Sequence, residues 1–264
     1  MIAWATWLVC GAYAEDSEFA GTVAPPEEQK TELTAELGGT LATGNSNYYA
    51  VNGGMALKHT AGKNQLTVGA GLNLGAARAV IDTDGDGVPE GIADQYTENA
   101  RRLFADARYD RFLSDKDSLY ALAGAFHDRF AGFDLRAHEQ LGYSRRLVKD
   151  DDTELRVEIG ADWAQEDYVT DVDPNYANVI AARLLVGVSH KFSEQVAFSD
   201  TAEIYENVIN VDDVRILNNA TLTSALSGKL SLKLTHALIF DNVPVEGFRP
   251  LDQTTMVTLV ATLL

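Results

Sequence analysis

The chain has 264 residues, a net charge of −18 and one cysteine, Cys10. So acidic a chain argues against nucleic acid as a partner and against a polybasic patch docking on anionic lipid. No apolar run reaches the roughly 18 residues that a membrane-spanning helix needs, which leaves strands as the way across a bilayer.

The chain opens with an apolar segment, Ile2 to Ala14, that ends in Ala12-Tyr13-Ala14. A small-x-small ending of this kind marks a secretory signal, so residues 1–14 are expected to be a signal peptide and Cys10 to leave with it. Residues 15–30, with Pro25 and Pro26, read as a linker. The other prolines, Pro89, Pro174, Pro244 and Pro250, fall in gaps between stretches that alternate apolar and polar residues. Proline cannot donate to a sheet ladder, so these gaps help to divide residues 31–264 into about twelve strands.

In the first strand, Thr31 to Ala42, Leu33, Ala35, Leu37 and Leu41 share one face, and Thr34, Glu36, Gly38 and Thr40 the other. The second sets Tyr49, Val51, Met55 and Leu57 against Tyr48, Ala50, Asn52 and Lys58; the third sets Leu66, Val68, Leu72 and Leu74 against Thr67, Gly69, Gly71 and Asn73. Midway, Leu155, Val157, Ile159 and Trp163 oppose Arg156, Glu158, Gly160 and Asp162. Later, Leu230, Leu232, Leu234 and Leu238 oppose Ser231, Lys233, Thr235 and Asp241, and Thr235 is expected to face a wet interior. This is a period of two, sustained longer than a helix could imitate. Soluble sandwiches alternate too, but their strands average about five or six residues. Several stretches here reach the roughly nine to eleven residues that a tilted spanning strand requires. The fold expected is therefore all-β, a closed antiparallel transmembrane β-barrel with an apolar outside and a polar lumen.

The gaps alternate in length. Short polar turns lie at 61–64, 114–117, 149–152, 193–195 and 227–229, and longer connections at 81–94, 167–176, 208–213 and 242–252, with 43–46 and 131–133 as compact exceptions in the second set. With the amino terminus in the periplasm, the longer set faces outward, as in bacterial outer-membrane barrels. Tyr48, Tyr49, Tyr109, Tyr120, Tyr143, Trp163 and Phe192 lie toward strand ends, where interfacial girdles belong. The last strand, Thr254 to Leu264, ends in leucine rather than the aromatic that barrel assembly machinery commonly reads.

Three strings carry a family likeness: Thr43-Gly44-Asn45-Ser46, then Asp128-Arg129-Phe130-Ala131-Gly132-Phe133-Asp134-Leu135-Arg136, then Gly142-Tyr143-Ser144-Arg145-Arg146. With them the chain resembles the salt-induced outer-membrane protein family (YdiY-like), a bacterial domain of unknown function. The resemblance extends from Thr31 to the carboxyl end. It implies a barrel in outer-membrane lipid, and it brings no substrate and no reaction.

Two clusters could carry chemistry. Asp82, Asp84, Asp86, the Val88 carbonyl, Glu90 and Asp94 space hard oxygen donors through the outer 81–94 loop, with Gly87 for the turn. Such a set suits Ca2+, which takes six to eight oxygens. The second cluster is inward: Asp106, Arg108, Asp110, Arg136, His138, Arg156, Glu158, Asp162, Arg183, Glu203, Lys233 and Asp241. These either pair as struts or line an aqueous path. Asp200 and Glu139 alternate outward, where an acid is costly, so a bulge or a place near the rim is expected for them. His190 and His236 alternate outward without a Ser/His/Asp spacing, so no catalytic set is assigned.

The expected function is a monomeric outer-membrane protein that passes small solutes or cations, or serves the envelope structurally, with no enzyme activity. The alternative is a lipid-modifying enzyme or a surface binding protein. If the acidic loop is a cage, millimolar Ca2+ should protect it from protease, and Asp84→Ala with Asp86→Ala should remove that protection. Magnesium should protect less, because it gives up water reluctantly. Isothermal titration without heat at millimolar Ca2+ would contradict the cage.

Overall fold

The computed structural model describes residues 29–42, 48–81, 91–170 and 174–263. The expected signal peptide, nearly all of the linker and the string at 43–46 lie outside these. Twelve strands follow in order: β1 (Lys30–Ala42), β2 (Tyr48–Ala61), β3 (Asn64–Ile81), β4 (Gly91–Phe112), β5 (Asp117–Asp128) and β6 (Phe133–Lys149); then β7 (Thr153–Tyr168), β8 (Tyr176–Lys191), β9 (Val196–Asn207), β10 (Val214–Ser227), β11 (Leu230–Asp241) and β12 (Leu251–Thr262). Each pairs antiparallel with its neighbour in sequence, and β1 pairs with β12, so the sheet is one closed barrel. Closure is what lets strands sit in hydrocarbon, since no lipid can satisfy a free sheet edge.

Strands run from 12 to 22 residues, more than the roughly nine to eleven a crossing needs. The surplus is largest in β3 and β4, whose hairpin carries register shifts at Gly75/Ala76 and Arg78/Val80. The mouth where β1 begins and β12 ends has the short turns. Gly62, at φ 54°, makes the tight β2–β3 link there, a conformation costly for any side chain with a Cβ. β12 begins at Leu251, three residues earlier than the alternation alone suggests, because Leu251 finds Phe240 as its ladder partner.

The faces are those the alternation predicts. Leu37, Val51, Leu66, Leu141, Ile159, Leu184 and Leu234 are exposed on the outside. Tyr109, Tyr143 and Phe192 sit outward near the short-turn end, and the Tyr49 and Tyr96 rings meet at 5.4 Å near the other. Tyr120 departs from the expected girdle: it points inward and is 3% exposed. Asp200 faces outward as read, yet without the expected bulge; the ladders on both sides of it are regular, and Asn218 Nδ2 donates to its carboxylate at 2.8 Å. Thr235 faces inward but is 1% exposed, so its surroundings are packed rather than wet.

Leu234→Arg should therefore destabilise the barrel by about 2–4 kcal/mol, as for a cation near the bilayer midplane. Ser231→Arg, which enters the water-filled short-turn mouth, should cost far less. Equal losses in reversible denaturant titrations in lipid vesicles would contradict the assigned faces.

Candidate functional site

The lumen is built of two unlike halves. On β4 to β9 the inward side chains include a dense set of large, charged and buried groups. Glu158 of β7 has no exposed surface and lies among three arginines. Arg108 Nη1 and Nη2 reach its two oxygens at 3.1 and 2.9 Å, Arg183 Nη1 donates at 2.9 Å, and Arg156 Nε lies at 3.4 Å. Arg108 also forks onto Asp110 at 2.9 Å, and Arg183 Nε donates to Glu203 at 2.7 Å. Three cations, Arg108, Arg156 and Arg183, thus face three anions, Asp110, Glu158 and Glu203. The balance is what permits ionised groups in so dry a place.

Glycines make room for this network. Tyr120 of β5, Gly142 of β6, Gly160 of β7 and Arg183 of β8 occupy one row of the sheet. The Tyr120 ring lies across both glycines: a Cβ on Gly142 would come within 2.5 Å of it, and one on Gly160 within 2.6 Å of its hydroxyl. That hydroxyl accepts from Arg183 Nη1 at 2.7 Å, and the Arg108 guanidinium stacks on the ring at 4.2 Å. Gly124 plays the same part between Asp106 and His138, and Gly187 beside Arg156.

Toward the long-loop mouth a second cluster joins Arg136 to Glu166 at 3.1 Å and Arg215 to Asp241 at 3.1 Å, with Glu166 also held by Arg215. His138 Nδ1 meets Asp162 Oδ1 at 3.2 Å. The string from Asp128 to Arg136 proves to be a brace for this mouth. Asp128 accepts from the backbone N–H groups of Phe130 and Ala131 at 3.2 and 3.1 Å and from Arg102 at 3.1 Å, while Gly132 takes φ 92°. Phe133 packs edge-on against Phe126 at 5.5 Å. In the string from Gly142 to Arg146, Gly142 seats Tyr120, and Arg145 pairs with Asp117 at 3.0 Å across the short-turn end.

The half formed by β1 to β3 and β10 to β12 is lined by small residues instead. Thr34, Gly54, Ala56, Thr221, Thr223 and Ser231 surround a cavity of about 140 Å³ that also contains Glu36 and Lys233. Thr223 and Ser231 are shared with a vestibule of about 630 Å³ at the short-turn mouth. Lys233 Nζ meets Glu36 Oε2 at 2.6 Å, and beyond this pair lies a pocket of about 20 Å³ between Asn52, Phe104, Met256 and Thr258. Ala237 and Thr254, both buried, lie next along β11 and β12 toward the long loops.

All twelve inward candidates from the sequence face the lumen. The inward residues Arg102, Glu36, Glu154, Glu166 and Arg215 were not singled out, although their parity along each strand carried the signal. Of the calcium candidates, Asp82, Asp84, Asp86, Val88 and Glu90 lie outside the described residues. Asp94 is in β4 rather than a loop, with Arg78 Nη2 at 3.7 Å. Among the described residues no group of His, Cys, Asp and Glu has the arrangement of a metal site. His236 faces outward and shares a hydrogen bond with Thr255 Oγ1 at 3.0 Å; His190 shares one with Thr153 Oγ1 at 3.0 Å.

A family model described as "Protein of unknown function, DUF481" matches residues 35–263. No curated protein matches the chain. Among solved structures, the NanC porin is similar with a TM-score of 0.52 and 10% identity, over 88% of this chain and all of that one. The KdgM porin, in complex with disordered oligogalacturonate, gives 0.46 and 6% over 88% and 98%. The toluene transporter TodX of Pseudomonas putida gives 0.41 and 10% over 96% and 94%. At such identities the likeness is one of fold, and the fold is that of barrels of the bacterial outer membrane.

Glu158→Gln should cost about 3–5 kcal/mol of stability, because it leaves three buried guanidinium groups short of one charge. Tyr120→Phe, which removes one hydrogen bond and keeps the ring, should cost about 1–3 kcal/mol. Denaturant titrations in vesicles check both, and a Glu158→Gln barrel as stable as the parent would contradict the buried network.

Proposed function

The chain belongs to the family of proteins of unknown function DUF481, and we propose that its barrel is a gated small-solute channel of the outer membrane. The observation that carries this reading is the asymmetry of the lumen. One half is a rigid polar core, and the other half is a line of hydroxyls and glycines around connected cavities. A barrel serving only as an envelope strut has no use for a vestibule leading to a polar constriction.

Glu36 and Lys233 form the constriction, opposite charges on β1 and β11 in a wall of mostly small side chains into which Phe104 reaches from β4. Charged groups at a narrow point set both the passage and the selectivity of a pore. The ion pair keeps the path shut while it stands, and a solute or a shift of the two strands that separates the pair opens it. The net charge of −18 favours cations at the mouths. A calcium role for the 82–90 loop rests on its run of alternating carboxylates; Arg78 beside Asp94 speaks against Asp94 as a ligand.

In planar bilayers the parent chain should conduct weakly and in brief openings. Lys233→Ala, which removes the bridge and its bulk, should raise conductance several-fold and lengthen the openings, whereas Arg215→Ala in the packed cluster toward the long-loop mouth should not. A barrel that stays silent in both forms would favour the structural reading over the channel.

A further inference from the structure

The barrel closes through a seam much shorter than its other joints. β1 pairs with β2 at thirteen positions, from Lys30↔Thr60 to Ala42↔Tyr48. With β12 it pairs at five, from Thr34↔Thr262 to Gly38↔Thr258. The same register would continue as Gly39 with Val257, Thr40 with Met256 and Leu41 with Thr255, and all six residues are in strands, yet none of these pairs forms. Toward the long-loop side, therefore, Gly39 to Leu41 and Thr255 to Val257 have no ladder partner across the seam. Lipid tails cannot supply one.

Two side-chain bridges cross the seam from inside, where the ladder stops. Asn52 of β2 reaches over Gly38 and donates from Nδ2 to Thr258 Oγ1 of β12 at 3.2 Å. Gly38 is needed for that reach, since a Cβ there would lie 2.6 Å from Asn52 Oδ1 and 2.5 Å from the Val257 carbonyl. Just below, Lys233 of β11 spans β12 to reach Glu36 of β1. Directly behind the open part lies the small pocket bounded by Glu36, Asn52, Lys233 and Thr258. On the outside, Leu37 flanks the last ladder pairs and Leu41 the open part, 66% and 74% exposed, among the most exposed large apolar side chains of the wall.

We propose that the β1–β12 seam is a lateral passage that takes a single-chain amphiphile with a small polar head from the outer leaflet into the lumen. The juxtaposition fits that class on both sides. Leu37, Leu41 and Val257 offer an acyl chain the same surroundings as the bilayer, while Asn52, Thr258 and Lys233 offer donors to the head. The head also supplies what lipid cannot, hydrogen bonds for the unpaired edges of β1 and β12. Opening breaks the Asn52–Thr258 bond and the Glu36–Lys233 pair at the point where the ladder ends. This rests on the seam and does not require the water path to conduct.

The test uses the full chain with Cys10→Ser, folded in lipid vesicles with a diazirine-bearing twelve-carbon fatty acid, photolysed and mapped by mass spectrometry. Label is expected on the outward faces of all strands and, in addition, on the inward residues Lys233, Met256 and Thr258. A disulfide between Leu41→Cys and Thr255→Cys should abolish the inward label and spare the outward one, and reductant should restore it. Asn52→Ala, independent of the disulfide, should raise the inward label several-fold. Label confined to outward faces in the parent and in Asn52→Ala, or inward label indifferent to the disulfide, would overturn the passage. Conductance measured on the same disulfide variant separates the two ideas: loss of inward label with unchanged conductance leaves the channel standing.

Discussion

Glu158 and the three arginines around it set the terms for the rest of the barrel. A strand in hydrocarbon must find its backbone partners in other strands, so the sheet has to close, and twelve strands enclose more space than one layer of aliphatic side chains fills. The chain fills half of that space with charge. Arg108, Arg156 and Arg183 are affordable there only because Asp110, Glu158 and Glu203 neutralise them at hydrogen-bonding distance. Arg108 and Arg183 also reach strands that share no ladder with their own, Arg183 of β8 through the Tyr120 hydroxyl of β5. β4 is bound to β7 through Arg108 and Glu158, across two intervening strands.

That solution requires flat, small neighbours. Gly142 and Gly160 are not loose points in β6 and β7 but the floor on which Tyr120 lies, and the ring in turn is the surface against which Arg108 stacks. The opposite half uses glycine and threonine to another end, leaving space around Glu36 and Lys233 and letting Asn52 cross β1 at Gly38. The stiff half meets the accommodating half through the β3–β4 and β9–β10 ladders, and the seam with five ladder pairs lies in the middle of the accommodating half.

Much of this was legible in the sequence, because period two in a membrane barrel admits only two faces. Once Leu33, Leu37 and Leu41 were placed outward, Glu36 and Thr34 had to point in, and the same parity placed Arg108, Glu158 and Arg183. What parity cannot give is which inward charges meet. Arg108 and Glu158 are separated by 50 positions and two strands, and their contact depends on register and curvature. Tyr120 was misplaced because nearness to a strand end outweighed its parity with Ser118 and Leu122, both buried. Two of the strings that mark the family build the frame: Asp128 holds a turn and Gly142 seats a ring. The short seam had no local signal at all, since β1 and β12 both read as ordinary strands.

The division of the lumen is best tested by the reach of water to each half. In a Cys10→Ser background, single cysteines at Thr34, Thr223, Ser144 and Thr201 all point inward, two in each half. A small charged thiol reagent should modify Thr34→Cys and Thr223→Cys quickly in folded vesicle-embedded protein. It should leave Ser144→Cys and Thr201→Cys unmodified until the barrel is unfolded. Fast modification at all four positions would mean an open lumen lined by water all round, and would contradict the packed half on which this account stands.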